Sequence, residues 1–409
     1  MSEFNEERSM IMHIDLNSCF ATVEQQARPL LRGRPIVVVN RRTETTAIVT
    51  ASYEAKILGV KVGMKLREAK IYAPDLIALE SDPAKYRFVY HKLLDIMRDY
   101  SAHVTMKSID EGVIDFHDAS VSIQNRDLVD IGHEIKQRLK DEIGIAMRCN
   151  VGISTNRFLA KTAAGLHKPD GLDEINAGNI REVLATLKLQ DLTGIAYHNE
   201  KRLNSVGITT PLQFLDADPI TLQKMVFKSV VGEWWHKRLR GWEVDDRDFD
   251  IKRVGRQYVL EGFDLTYEQI VKRLHHLCES VGSRLRSQDK SARGIYVYAK
   301  TRDHGYWHAS FMAQLPFSSD QTIFELARQL FTKAPNDMKE IGIHCYELEP
   351  IEDPQMSLFN DQLARERHIT EAVDHINKSF GDRTIHSADT LGTGIYVKQK
   401  IPFGSTRYL

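Results

Sequence analysis

Seven short apolar runs occupy the first 165 residues: MIMHIDL, RPIVVV, AIVTAS, LIALES, VTMKSI, GVIDF and AMRCNVGIS. Longer stretches lie between them, in which apolar residues recur every three or four positions. The clearest are PAKYRFVYHKLLDIMRDYSA and DLVDIGHEIKQRLKDEI. Runs of that length and β-branched content read as strands, and the stretches between them as amphipathic helices. Strands this apolar need cover, so this part of the chain is expected to form an α/β layer. No run approaches a membrane span; the longest, such as IVVV and GIYVYA, are strand-sized.

The pattern changes along the chain. From about Gly171 to Asp246 the strand signal fades and short helices dominate. Within that region DLTGIAYHNEKRLNSVGITTPLQFL carries Gly194-Ile195 and Gly207-Ile208 on either side of a short helix. This is the outline of a helix-hairpin-helix, whose turns offer N–H groups to phosphate. Ala196 stands where the first turn usually has its second glycine, and a simple helical turn is the other reading. DRDFDIKRVGR, 246–256, is charged and aperiodic and is expected to be a linker. A small α+β domain follows to about residue 350, and the residues after it look too few for a core of their own. At 409 residues the chain exceeds one ordinary core. A net charge of −1 excludes a uniformly basic nucleic-acid binder, so any such surface must be local. One candidate runs from Lys252 to Lys300, through Arg253, Arg256, Lys272, Arg273, Arg284, Arg286, Lys290 and Arg293; a solvated helix face is the alternative. Cys19, Cys149, Cys278 and Cys345 lack metal or redox spacing. With no signal-peptide pattern at the acidic N-terminus, a reduced, cytoplasmic protein is expected.

KSIDEGVIDF sets two adjacent acids, Asp110 and Glu111, among apolar strand residues. Strand neighbours point to opposite faces, and a buried carboxylate is normally paired or bound to metal. Asp15 lies at the end of another apolar strand, where a helix begins. Three carboxylates at strand ends suit hard divalent cations such as Mg²⁺. Two such ions can stabilise both the attacking and the leaving oxygen in phosphoryl transfer. Gly112 is expected to let the backbone bend so that both acids turn toward one site. A solvent-facing edge pair is the competing reading.

HIDLNSCFATVEQQARPLLRGRPIVVV, TASYEAKILGVKVGM, SIDEGVIDF and NVGISTNRFLAKTAAGLHKPDGL resemble, in order and near spacing, motifs of the Y-family (DinB/UmuC-type) translesion DNA polymerases. VGRQYVLEG and IGIHCYELEP resemble the start and end of that family's little-finger domain, so the likeness covers about Met10 to Pro350. It implies an α+β multidomain right hand. The ferredoxin-like palm would be 1–20 and 80–170, the small fingers 21–79 and the helical thumb 171–245. The α+β little finger would be 257–350, with a tail from 351 to 409.

By the same resemblance Asp15 and Asp110 ligate two Mg²⁺ ions, with the Leu16 carbonyl and Glu111 completing the set. Phe20 falls at the steric gate that excludes a 2′-hydroxyl. Thr50, Tyr53, Lys56 and Lys161 would meet the triphosphate, although relatives commonly carry arginine where Lys56 stands. Asn17 occupies a position where many relatives have an acid, and it is not expected to ligate. QMSLF, Gln355, Met356, Ser357, Leu358 and Phe359, resembles the peptide by which bacterial polymerases dock on the sliding clamp. The implied partners are primer–template DNA, deoxynucleoside triphosphates, the clamp and possible accessory subunits, with no membrane. The implied biology is low-fidelity bypass of damaged templates. A catalytically silent adaptor for the clamp and a template-free cyclase are the rival readings.

Overall fold

The computed structural model describes residues 3–246, 250–260, 265–351 and 361–397, without the side chains of 361–367. The chain divides into two compact units, Met1–Arg247 and Asp248–Gln399. In chain order the strands are β1 (Ile11–Leu16), β2 (Ile36–Val39), β3 (Ile48–Ala51), β4 (Ile77–Glu80), β5 (Val104–Met106) and β6 (Glu111–Asp115). They continue with β7 (Cys149–Ser154), β8 (Leu172–Ile175), β9 (Arg253–Val259), β10 (Lys290–Thr301), β11 (Tyr306–Phe317) and β12 (Met338–Pro350).

The first unit is built on a sheet of order β5-β6-β1-β7-β8, in which β1 runs antiparallel to both β6 and β7. Alternation decides what each face does. Met12, Ile14 and Leu16 of β1, with Ile114, Val151 and Ile153, are buried against helices Pro83–Arg98 and Leu128–Glu142. Each such side chain contributes about 1.5–3 kcal/mol relative to exposure. Asp82 and Asp127 cap these helices, accepting from the Lys85 and Val129 N–H groups. On the other face Ile11 and Val113 meet Ala160 of helix Arg157–Leu166. Gly152 permits that approach, because a Cβ there would come within 2.0 Å of the Ala160 carbonyl oxygen.

β8 is a departure from the sequence reading. LDEI pairs parallel to β7 as the outermost strand, so the sheet continues past the expected palm boundary at 170. Its central Asp173 and Glu174 hide it from an apolar search. Residues 21–79 hold a small sheet of order β3-β2-β4 with its own core of Val37, Val39, Ile48, Ala51, Ala55 and Leu66. Leu184, Leu203, Phe214, Trp235 and Leu239 form a helical cluster that also takes in Phe158, Leu159 and Ala163 of helix Arg157–Leu166. Gly194 (φ 95°) and Gly207 (φ 84°) flank helix Tyr197–Asn204 in the left-handed region.

The second unit is a sheet of order β11-β10-β12-β9 with helices Tyr267–Arg286 and Asp320–Phe331 packed on it. β9 begins at Arg253, inside the stretch expected to be linker. The basic run also reads differently once folded. Arg256 reaches Ser280 and the Val397 carbonyl, and Arg273 lies over the Tyr396 ring. Arg284 donates to the Gly255 carbonyl at 2.8 Å, and Arg286 to Asp320 at 2.7 Å and to Asp374 at 2.6 and 2.9 Å. Four of these cations are therefore internal pegs rather than a solvated stripe.

The described part of the tail completes the core of the second unit. From helix Asp361–Phe380 onward it docks on the second unit. Asp374 grips Arg286, Arg383 pairs with Glu279, Thr393 meets His276 Nδ1 at 2.8 Å, and Val397 is buried in the core. Gln355 to Phe359 lie outside the described residues. No helix among the described residues is long and apolar enough to cross a membrane.

Candidate active site

Strand register brings Asp15 and Glu111 to one place, and a bend before β6 brings Asp110 beside them. Asp15 is the cross-strand partner of Glu111, and His13 that of Val113. Direct partners share a face, so His13, Asp15 and Glu111 all lie on the side that carries helix Arg157–Leu166. The problem of two adjacent acids is solved by a bend over Lys107–Asp110, so Asp110 precedes the strand rather than alternating within it. Its carbonyl accepts from the Leu16 N–H at 2.8 Å, tying the bend to the end of β1. Gly112 lies beyond the bend, in regular register opposite Ile14 and Met106. Its missing Cβ leaves room instead for the flexible ends of Met106 and Met97, which a Cβ would approach to 2.6 and 2.8 Å.

Each carboxylate has its own neighbour. Asp110 accepts from Ser108 Oγ at 2.5 Å. Burial raises its pKa above the usual carboxylate value; the Ser108 bond opposes this, and the charges of Asp15 and Glu111 add to it. Glu111 accepts from Lys161 Nζ at 2.8 and 2.9 Å, and His13 Nε2 lies 3.4 Å away, long for a hydrogen bond. Burial would raise its carboxyl, but His13 and Lys161 outweigh burial and bring it to about 2. Asp15 is paired with Lys168.

Among the described residues, no three acidic, histidine or cysteine side chains are gathered closely enough to chelate an ion as they stand. The acids share one sheet end, but lysines rather than each other set where two of them point. The donor set still fits Mg²⁺, being all carboxylate oxygen, with mutual repulsion that a cation would relieve.

The remaining expected residues cluster near β1. Phe20, in the first turn of helix Cys19–Ala27, is 3% exposed and stacks on Tyr86 at 4.2 Å. The Tyr86 hydroxyl donates to buried Glu24 at 3.1 Å. Leu16 is buried. Thr50, the next-to-last residue of β3, is half-buried, and Tyr53 opens helix Tyr53–Ile57. Lys56 lies over the Tyr53 ring at 4.5 Å and donates to Ser18 Oγ at 2.8 Å. Burial lowers the Lys56 pKa, the nearby Lys168 charge lowers it further, and Asp15 opposes both. Lys161 stands on Glu111 rather than free. Sequence reasoning missed Lys168, an exposed lysine in a polar loop that carries no periodic signal. Asn17, not expected to ligate, is 3% exposed. Asn17 donates to Asn150 Oδ1 at 2.7 Å and accepts from the Asp170 N–H at 2.7 Å.

Comparison with known proteins identifies the chain's relatives. Residues 14–165 match the impB/mucB/samB family and residues 252–358 its C-terminal domain. The chain is 31% identical over 403 residues to DNA polymerase IV of Moorella thermoacetica, covering 94% of this chain and 97% of that one. It is 30% identical to DNA polymerase IV of Pelotomaculum thermopropionicum (94% and 96% covered) and 29% identical to DNA polymerase IV 1 of Bacillus subtilis (93% and 93% covered). Among solved structures, a Y-family DNA polymerase chimera of Dbh and Dpo4 superposes with a TM-score of 0.69 at 23% identity, covering 82% of this chain and 98% of that one. An insertion ternary complex of Dbh DNA polymerase superposes with a TM-score of 0.57 at 22% identity and the same coverage. The two family-model matches, with 31% identity to a DNA polymerase IV across 94% of the chain, place it in the impB/mucB/samB family: it is a Y-family DNA polymerase.

Proposed function

We propose that the chain adds deoxynucleotides to a primer 3′-end on a DNA template, using Asp15, Asp110 and Glu111, with the Leu16 carbonyl, to hold two Mg²⁺ ions. The observation that supports this most directly is the register of β1 and β6, which makes Asp15 and Glu111 partners and binds the Asp110 carbonyl to Leu16. Y-family polymerases are metal-dependent nucleotidyltransferases. Bound at these acids, Mg²⁺ would lower the pKa of the 3′-hydroxyl and offset the charge that develops on the phosphates.

The chain's own side chains do the rest. Tyr53, Lys56 and Thr50 would receive the β- and γ-phosphates, with Lys161 joining them when it leaves Glu111. Lysine at position 56 gives a point charge rather than a bidentate fork. Phe20, braced by Tyr86, presents a flat ring to the sugar. The enzyme is a translesion DNA polymerase, and the silent-adaptor reading is not favoured because all three acids are present and grouped. A cyclase needs no grip on DNA, whereas this chain carries a helical cluster and a second α+β unit. Gln355 to Phe359 would engage a bacterial sliding clamp, with Leu358 and Phe359 filling an apolar pocket.

Primer extension with Mg²⁺ tests these readings together. Template-dependent extension by the wild type that is lost in Asp110→Ala supports the polymerase assignment. Extension by neither favours the adaptor, and a cyclic product from triphosphate alone favours the cyclase. With a clamp added, Leu358→Ala should lose the stimulation and keep bare-template synthesis; stimulation that persists would exclude this peptide.

A further inference from the structure

Lys168 is presented to Asp15 with unusual care for an exposed lysine. The loop that carries it joins helix Arg157–Leu166 to β8 and is pinned on both sides. Before Lys168, the His167 carbonyl accepts from Asn150 Nδ2 at 3.1 Å. After it, the Asp170 N–H donates to Asn17 Oδ1 at 2.7 Å. Lys136, its side chain only 10% exposed, holds Asp170 Oδ1 at 3.1 Å and the Gly171 carbonyl at 3.2 Å, and also reaches the Asp170 carbonyl. Asn17 and Asn150 bond each other and sit at the ends of β1 and β7. The loop backbone is therefore fixed to the strand ends that carry the acids. The Lys168 stem has only to cross to Asp15.

Without a counter-charge, three carboxylates at one sheet end repel one another. Lysines answer two of them, Lys161 on Glu111 and Lys168 on Asp15. The strength of the second pair decides what it can do. A deeply buried pair would close the site, because separating it would strand a desolvated charge. Here the side chains are 41% and 22% exposed, and pairs open to solvent contribute little. Such a pair holds the carboxylate in place and yields to a divalent ion.

We infer that Lys168 is a place-holding counter-ion for Asp15, positioned by Asn17 and Asn150, that competes with the divalent cation for that carboxylate. The inference rests on the reading of the acids as cation ligands. Lys168 is a positioning residue in this account: it keeps the acids together in the metal-free protein and steps aside on loading. Asn17, standing where many relatives carry an acid, serves the loop rather than the ion.

The test is Mn²⁺ binding to the free, full-length protein, followed by electron paramagnetic resonance and titration calorimetry without DNA or nucleotide. Lys168→Gln should bind Mn²⁺ about fivefold tighter than wild type, the gain expected when a solvent-open ion pair no longer competes. Lys168→Arg, which keeps the charge, should stay near wild type. Unchanged or weaker binding by Lys168→Gln, with Asp110→Asn still abolishing it, overturns the place-holder and leaves the acid assignment standing. Binding that survives Asp110→Asn overturns the acid assignment and the place-holder with it.

Discussion

At the scale of single residues, the sequence showed which chemistry was present but not how each group was held. Asp15, Asp110 and Glu111 stood out because acids interrupt apolar runs; strand register brings Asp15 and Glu111 to one face, and a backbone bond from Leu16 ties Asp110 to the end of β1. Phe20 looks like core and is core, at 3% exposure, with its ring stacked on Tyr86. Phe20→Ala should raise the ratio of ribonucleotide to deoxynucleotide incorporation about tenfold or more. Losing a buried ring also costs about 3–5 kcal/mol, so Phe20→Leu serves as the variant that keeps the fold. Single-nucleotide insertion kinetics with paired ribo- and deoxynucleotides give the readout, and unchanged selectivity in both variants removes the gate assignment. Lys168 was invisible by comparison. Its partner lies 153 positions away, and no local pattern records so distant a pairing.

At the scale of elements, long amphipathic helices and apolar strands were legible, whereas short polar pieces were not. β8 was missed because an outermost strand with Asp173 and Glu174 at its centre lacks the apolar mark of its neighbours. The arginines of helix Tyr267–Arg286 were misread for a related reason: charge in a sequence reads as surface until a partner closes over it. Arg286 shows the energetic difference. It is 10% exposed and joins Asp320 of one helix to Asp374 of another. Arg286→Met should destabilise the second unit by about 3 kcal/mol, since it strands two partly buried carboxylates. Arg293→Met, whose partner Glu349 shares an open surface, should cost no more than about 0.5 kcal/mol. Urea unfolding followed by circular dichroism compares them, and equal losses would show that Arg286 is not a peg.

At the scale of the whole molecule, the chain has two units with separate cores, and the second carries a buried histidine that makes it sensitive to acid. His276 in the second unit is 1% exposed. Burial, reinforced by the charges of Arg383, Arg256, His386 and His275, pushes its imidazole down to about 3. An unfolded histidine takes up its proton near pH 6.5. Between those values the unfolded chain binds more protons, so the stability that neutral His276 confers is complete above about pH 6.5 and is lost as pH falls toward 3. At pH 5 the loss is about 2 kcal/mol. Thermal melts at pH 7 and pH 5 should show a smaller acid-induced drop for His276→Gln than for wild type; an identical drop sinks the assignment. The division into units was readable from the change in pattern near residue 250, but the docking of the tail was not, because its contacts join single side chains rather than a periodic face. Helix Arg157–Leu166 carries a different consequence. Ala160 leans on the sheet, Lys161 reaches Glu111, and Phe158 and Leu159 complete the helical cluster. A chain trimmed of residues 180–239 would bare one flank of that helix, so the end of the first unit that carries the acids cannot outlive its helical neighbour.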